Sequence, residues 1–232
     1  MLFSGGYFLF VLIPGLVLMG LAQWRLRSNF AKYSQIPNAR GLTGAQAAAE
    51  VMRAAGVHDV GIEAIAGELT DHFDPRAKVL RLSEPVYNSR SIAAISVAAH
   101  EAGHAVQQNV GYVPMNLRSS LVPVANIGSG IAPLIVMAGL FTQITGLAWI
   151  GVILFAAATL FALVTLPVEF DASARARTLL AETGLITPNE YGEVRTMLNA
   201  AALTYVAGFA ASALQLLYYV MLVTGMGGRR RD

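Results

Sequence analysis

The chain has 232 residues, of which 55% are hydrophobic and only 13% charged, with a formal net charge of +2. Soluble domains carry about 25% charged residues, so this composition excludes an ordinary water-soluble globule and a disordered chain, and points to a membrane. The absence of cysteine excludes disulfides, thiolate zinc sites, iron–sulfur clusters and a cysteine nucleophile, and scattered arginines, clustered only at Arg229, Arg230 and Arg231, give no footprint for nucleic acid.

Residues 1–24 hold no charge and centre on Tyr7 to Leu21, long enough for a first transmembrane helix of about 20 residues. No basic residue precedes this run and no small-x-small cleavage site follows it before Arg25, so a retained span is expected rather than a cleaved signal peptide. Residues 25–118 then hold ten of the sixteen Lys and Arg, which the positive-inside rule reads as a cytoplasmic segment, with the amino terminus outside. Within it, Thr43-Gly44-Ala45-Gln46 opens an alanine-rich helix that Gly56 closes. Val60 to Phe73 and the β-permissive Lys78-Val79-Leu80-Arg81-Leu82 flank the turn former Asp74-Pro75, a β-hairpin pattern. A long helix is expected from about Ser91 to Asn109.

Residues 119–168 are again free of charge. The break Thr142-Gln143-Ile144-Thr145-Gly146 divides them into two spans, a transmembrane hairpin. Residues 169–200 return to polar character: Glu169 to Glu182 reads as helix ending before Gly184, and Thr187-Pro188-Asn189-Glu190 has the form of a capping box that starts the next helix. Residues 201–232 supply a last span, with its apolar centre at Ala202 to Val223, and a basic tail. Four spans put that tail outside, against the positive-inside rule; a last segment lying in or re-entering the interface would keep it inside.

The chemistry sits in the long helix. His100-Glu101-Ala102-Gly103-His104 fits H-E-x-x-H, in which histidines four apart share a helical face and can ligate one Zn²⁺. Glu101, the next residue round, is placed to act as general base on the water that the metal activates. The competing reading makes His100 and His104 surface or capping histidines of an amphipathic helix. A catalytic zinc needs a third protein ligand, and with no cysteine and no convincing further histidine a carboxylate must supply it. Because a hairpin of spans returns the chain to the face it left, Glu169 in Pro167-Val168-Glu169-Phe170-Asp171-Ala172-Ser173 emerges on the side of the two histidines. An acid beside a span can also simply mark the water interface.

HEAGH, a transmembrane hairpin and then PVEFDAS, with DHFDPRAKVLRLSEPVY upstream and LNAAALTYVA downstream, resemble the YugP-type membrane zinc metallopeptidase family. The resemblance runs from the first span to about Val206. It implies a mainly α membrane protein of about four transmembrane helices with a small α+β zincin-like cytoplasmic portion, related in layout to HtpX-type and CAAX-prenyl membrane proteases. It also implies a zinc endopeptidase with one Zn²⁺ on His100, His104 and Glu169 and with Glu101 as base. In the wider zinc-peptidase pattern an aspartate four residues after the ligand glutamate orients the first histidine; here that residue is Ser173. Asp171, about 200° round the helix from Glu169, is a candidate for the role only if the helix is irregular, and is otherwise a helix N-terminal acid.

For the oxyanion donor the candidates are Tyr205, Arg175 and His72, although Tyr205 also suits an interfacial anchor and His72 a polar hairpin position. His58, after a helix end, has no chemistry assigned. The leading reading is therefore a multi-pass protease of a bacterial inner membrane, its site facing the cytoplasm, acting on unfolded or membrane-protein segments. Membrane lipid and peptide are its expected partners, and nucleic acid is not. A site-2-type intramembrane protease and a non-catalytic zinc-binding scaffold are the alternatives.

Overall fold

The computed structural model describes residues 5–228. In chain order, α1 (Gly5–Tyr7), a π-helical turn (Phe8–Leu12) and α2 (Ile13–Ser34) form the first long helical stretch, followed by α3 (Gly44–Ala54). Three strands come next, β1 (Gly61–Ile65), β2 (His72–Asp74) and β3 (Val79–Ser83), then the short α4 (Glu84–Tyr87) and α5 (Ile92–Asn109). The remainder is α6 (Val113–Phe141), α7 (Thr145–Glu182) and α8 (Tyr191–Gly228). The chain divides into two compact units, one of residues up to 21, 117–166 and 205 onward, the other of residues 22–116 and 167–204. The basic tail, Arg229 to Arg231, which bears on the sidedness of the last span, lies outside the described residues.

The first unit is apolar. Among the described residues, four helical stretches, Gly5–Ser34, Val113–Phe141, Thr145–Glu182 and Tyr191–Gly225, are long and apolar enough to cross a membrane. Their outward faces carry Phe10, Leu134 and Ile153, each more than 60% exposed. In water each such side chain would cost about 25 cal/mol per Å² of apolar surface left uncovered, a cost that lipid removes. Glycine lets α6 and α7 meet: a Cβ at Gly128 would stand 2.4 Å from the Leu154 carbonyl oxygen, and one at Gly139 2.3 Å from the Ala148 nitrogen. Packing through small residues is how helices associate in lipid, where hydrophobic burial gives no drive.

The second unit is a small α+β body. Its sheet has the order β1-β3-β2. The expected hairpin is β2–β3, antiparallel, with His72 opposite Arg81 and Asp74 opposite Val79. Asp74 closes the turn by accepting from the Arg76 and Ala77 amides at 3.0 and 3.1 Å, and Lys78 takes a left-handed φ of 53°. Arg81 bonds Asp74 across the pair, and that bond with the two amides holds the carboxyl down at about 2. Residues 60–73, read from sequence as one arm of the hairpin, instead bend at 66–69 into two strands. The first, β1, lies parallel to β3 on its other side. β3 is central, and its inward Leu80 and Leu82 are fully buried with Ile92, Ile95, Ala98 and Ala99 of α5.

The helix boundaries follow the cap chemistry. Thr43 and Gln46 form the full capping box of α3, and the Ser91 hydroxyl caps α5 by accepting from the Ala94 amide at 3.2 Å. The helix expected from Glu169 is not a separate element: it continues the second span of the hairpin through Pro167 as the single α7. Gly184, at φ 65°, ends it. Glu190 joins the start of α8 to the α2–α3 connection, accepting from the Thr187 and Ala39 amides, each at 2.7 Å.

Inside the motif, Gly103 lies close against the Pro167–Glu182 part of α7: a Cβ there would stand 2.7 Å from the Ala172 carbonyl oxygen. Alanine is intrinsically better than glycine in a helix by about 1 kcal/mol, but overpacking against backbone costs about 1–3 kcal/mol. Gly103→Ala is therefore predicted to lower the thermal unfolding temperature; an unchanged or higher unfolding temperature would show that the two helices part freely.

Candidate metal centre

α5 and α7 bring three ligand-type side chains together from positions 69 residues apart. The ligand atoms of His100, His104 and Glu169 all lie within 4.8 Å of one another. All three side chains are buried, Glu169 at 1% exposure. The spacing of His100 and His104 sets both imidazoles on one face of α5, edge to face with centroids 4.8 Å apart. Both turn Nε2 inward: His100 Nε2 is 3.1 Å and His104 Nε2 3.6 Å from the same Glu169 oxygen, Oε2. Two imidazole nitrogens and one carboxylate make the His₂Glu donor set that suits a catalytic zinc, with further positions left for water and substrate. The donor set therefore fits the metal.

The outward nitrogens are also engaged. His100 Nδ1 is 3.1 Å from the hydroxyl of Ser173, one turn along α7 from Glu169. His104 Nδ1 is 3.0 Å from Oε1 of Gln107, one turn along α5. Gln107 in turn donates to the Val168 carbonyl at 2.7 Å and to Asp171 at 2.8 Å. Asp171, on a regular stretch of helix, reaches no histidine directly: it meets Gln107 and Arg175 Nε, the latter at 2.5 Å. Gln107 and Ser173 were not among the residues singled out from sequence as histidine partners. The i+3 spacing of Gln107 from His104 and the i+4 spacing of Ser173 from Glu169 are the signals that point to them.

Glu101 follows His100 on α5 and is partly exposed. Asp71, just before β2, lies within electrostatic reach of it. Burial pushes the Asp71 carboxyl up, bonds from the amide and hydroxyl of Ser83 oppose this, and the charge of Glu101 adds to the rise. Of the oxyanion candidates, Arg175 is engaged with Asp171 and stands over the Tyr112 ring at 5.6 Å. His72 is exposed and bonded to the Thr70 carbonyl at 2.9 Å. Tyr205 belongs to the apolar unit, where it is 38% exposed. His58 is exposed.

Comparison with known proteins points to the same metal. Residues 8–224 match the family described as "Putative neutral zinc metallopeptidase". The chain is also 47% identical over 215 residues to the "Putative membrane protease YugP" of Bacillus subtilis, an alignment covering 93% of this chain and 96% of that protein. No solved structure matches the chain. The chain belongs to this zinc metallopeptidase family. It is a metallopeptidase, its cofactor is Zn²⁺, and with four apolar helices it is an integral membrane protein.

Zinc and protons compete for the inward nitrogens. In the metal-free protein burial lowers the pKa of His104, but the bond to Glu169 and the charges of Glu169 and Glu101 outweigh it, so the value is raised. A raised histidine stabilises the fold fully below its unfolded value of about 6.5 and stops doing so as pH rises through the folded value. Metal-free protein is thus predicted to lose this contribution progressively as pH rises above the unfolded value, while the stabilisation gained on adding zinc grows as the proton leaves. Thermal unfolding with and without zinc across a pH series starting below the unfolded value checks this; a zinc-induced shift that stays constant across the series would contradict it.

Proposed function

We propose that the protein is an endopeptidase whose zinc is held by Nε2 of His100, Nε2 of His104 and the carboxylate of Glu169, and that it cleaves unfolded or membrane-protein segments at the cytoplasmic face. The observation that carries this reading is the convergence of two imidazole Nε2 atoms on one buried carboxylate oxygen, beside a partly exposed glutamate. When bound, zinc supplies a Lewis acid that polarises the scissile carbonyl and acidifies the attacking water.

The chain's own residues do the proton transfer. The Glu101 carboxylate takes a proton from the water as its oxygen adds to the carbonyl carbon, and then delivers that proton to the amide nitrogen as the carbon–nitrogen bond breaks. Glu101 returns to its starting form, which leaves one new carboxylic acid, holding the water's second hydrogen, and one new amine, to which the acid yields that proton at neutral pH. The sheet supports a place for the substrate. β1 and β2 are its two edges, and β2 follows directly on Asp71, the residue in electrostatic reach of Glu101. An extended peptide adding to β2 through backbone hydrogen bonds would run beside the base.

Glu101→Gln is predicted to keep about one zinc per chain and to lose proteolysis of an unfolded substrate by about 10²–10⁴ fold or more. Glu169→Ala is predicted to lose zinc and activity together. Near wild-type cleavage by Glu101→Gln, or full zinc in Glu169→Ala, would overturn the assignment.

The sidedness rests on charge. The polar unit contains Arg25, Arg27, Arg53, Arg175, Arg177 and Arg195 among its cations, which favours the cytoplasm. Single cysteines at Ser34 and Thr183, in this cysteine-free background, are predicted to be equally shielded from an impermeant thiol reagent in intact cells and equally reactive after lysis. Labelling of either in intact cells would contradict the orientation.

A further inference from the structure

We propose that Gln107 is a positioning residue: its amide determines which nitrogen of His104 carries the proton, and so presents Nε2 as a lone pair. Its use by zinc rests on the ligand assignment above; the hydrogen-bond argument itself does not. Gln107 is wholly buried. Its Nε2 has two oxygen neighbours, the Val168 carbonyl at 2.7 Å and Asp171 Oδ2 at 2.8 Å, and its Oε1 faces His104 Nδ1 at 3.0 Å.

A carbonyl oxygen only accepts, and the Asp171 oxygen already accepts from Arg175 Nε. Turning the amide over would set its oxygen against these two oxygens with no hydrogen between them. Such buried, unsatisfied contacts each cost about 1–3 kcal/mol, so the amide has one orientation. In that orientation Oε1 can only accept. The hydrogen in the 3.0 Å contact must come from His104 Nδ1, and neutral His104 keeps its lone pair on Nε2, the nitrogen that faces Glu169. A free neutral histidine side chain in water prefers the opposite tautomer, so the protein imposes this one.

The constraint is anchored at its far end. Arg175 is braced over Tyr112 and bonded to Asp171, Asp171 to Gln107, and Gln107 to His104. Asp171 thus acts on the histidine of α5 through an intermediary. Ser173, the partner of His100, is different in kind: a hydroxyl can donate or accept and imposes no tautomer.

The test uses full-length protein in nanodiscs with isotopically labelled histidine nitrogens, of which only four residues contribute. Zinc is removed by chelation and long-range proton–nitrogen correlation spectra are recorded at a pH where the imidazoles are neutral. The His104 signals, identified by their loss in His104→Ala, should show the Nδ1–H tautomer in wild type. Gln107→Leu should shift His104 towards Nε2–H and weaken zinc affinity about 10–100 fold, measured against a competing chelator. Wild-type His104 in the Nε2–H tautomer would overturn the proposal without any variant, which covers a Gln107→Leu chain that does not fold. A protein with the Nδ1–H tautomer that binds no zinc would uphold the role of Gln107 and sink the ligand assignment instead.

Discussion

A carboxylate at 1% exposure is the constraint on which the rest of the polar unit depends. An unpaired carboxylate in such a place costs several kcal/mol, and Glu169 is tolerable there only because two imidazoles face it. Those imidazoles belong to a helix that precedes the membrane hairpin, and the carboxylate to one that leaves it. The α5 backbone must therefore come against α7, and the only side chain at the crossing that permits the distance is a hydrogen atom, at Gly103. The H-E-x-x-H pattern leaves that position open; packing gives it to glycine.

Beyond the three inner groups, the partners of the histidines are neutral. An amide oxygen takes His104 Nδ1 and a hydroxyl takes His100 Nδ1. A carboxylate in either place would make the imidazole a more electron-rich ligand and add negative charge to a buried cluster that already contains Glu169. The negative charge of Asp171 is held one residue further out, balanced by Arg175. Asp71 adds a second carboxylate near Glu101, tied by both its oxygens to Ser83 at the end of β3. β2, which begins directly after Asp71, is an edge strand of the sheet.

Much of this was legible from residue types and spacing, because membranes and helices impose simple patterns. Charge-free runs marked the apolar helices, Thr43 with Gln46 marked a helix start, and histidines four apart announced a shared face. Hairpin topology placed Glu169 with the two histidines, where the structure has it, and the family resemblance implies a ligand role. What escaped has physical reasons. Pro167 sits within α7 without ending it, because proline removes one hydrogen bond of a helix that tertiary packing holds on both sides. β1 was hidden because what makes it a separate strand is a non-local parallel pairing with β3, which no local pattern announces. Gln107 carries no local signal of its role, since nothing near it in sequence says that its amide meets Val168 and Asp171, which follow the hairpin of spans. For Asp171 the sequence argument, that two residues on is the wrong face for a direct bond to histidine, agrees with the contacts it makes.

X-ray absorption at the zinc edge of the purified wild-type protein reads the ligand set, since imidazole rings give a distinctive multiple-scattering pattern. A single zinc held by two imidazoles of α5 and one carboxylate of α7 requires a first shell of nitrogen and oxygen at about 2.0–2.2 Å with two imidazoles and no sulfur. One imidazole, or three, would rule that ligand set out.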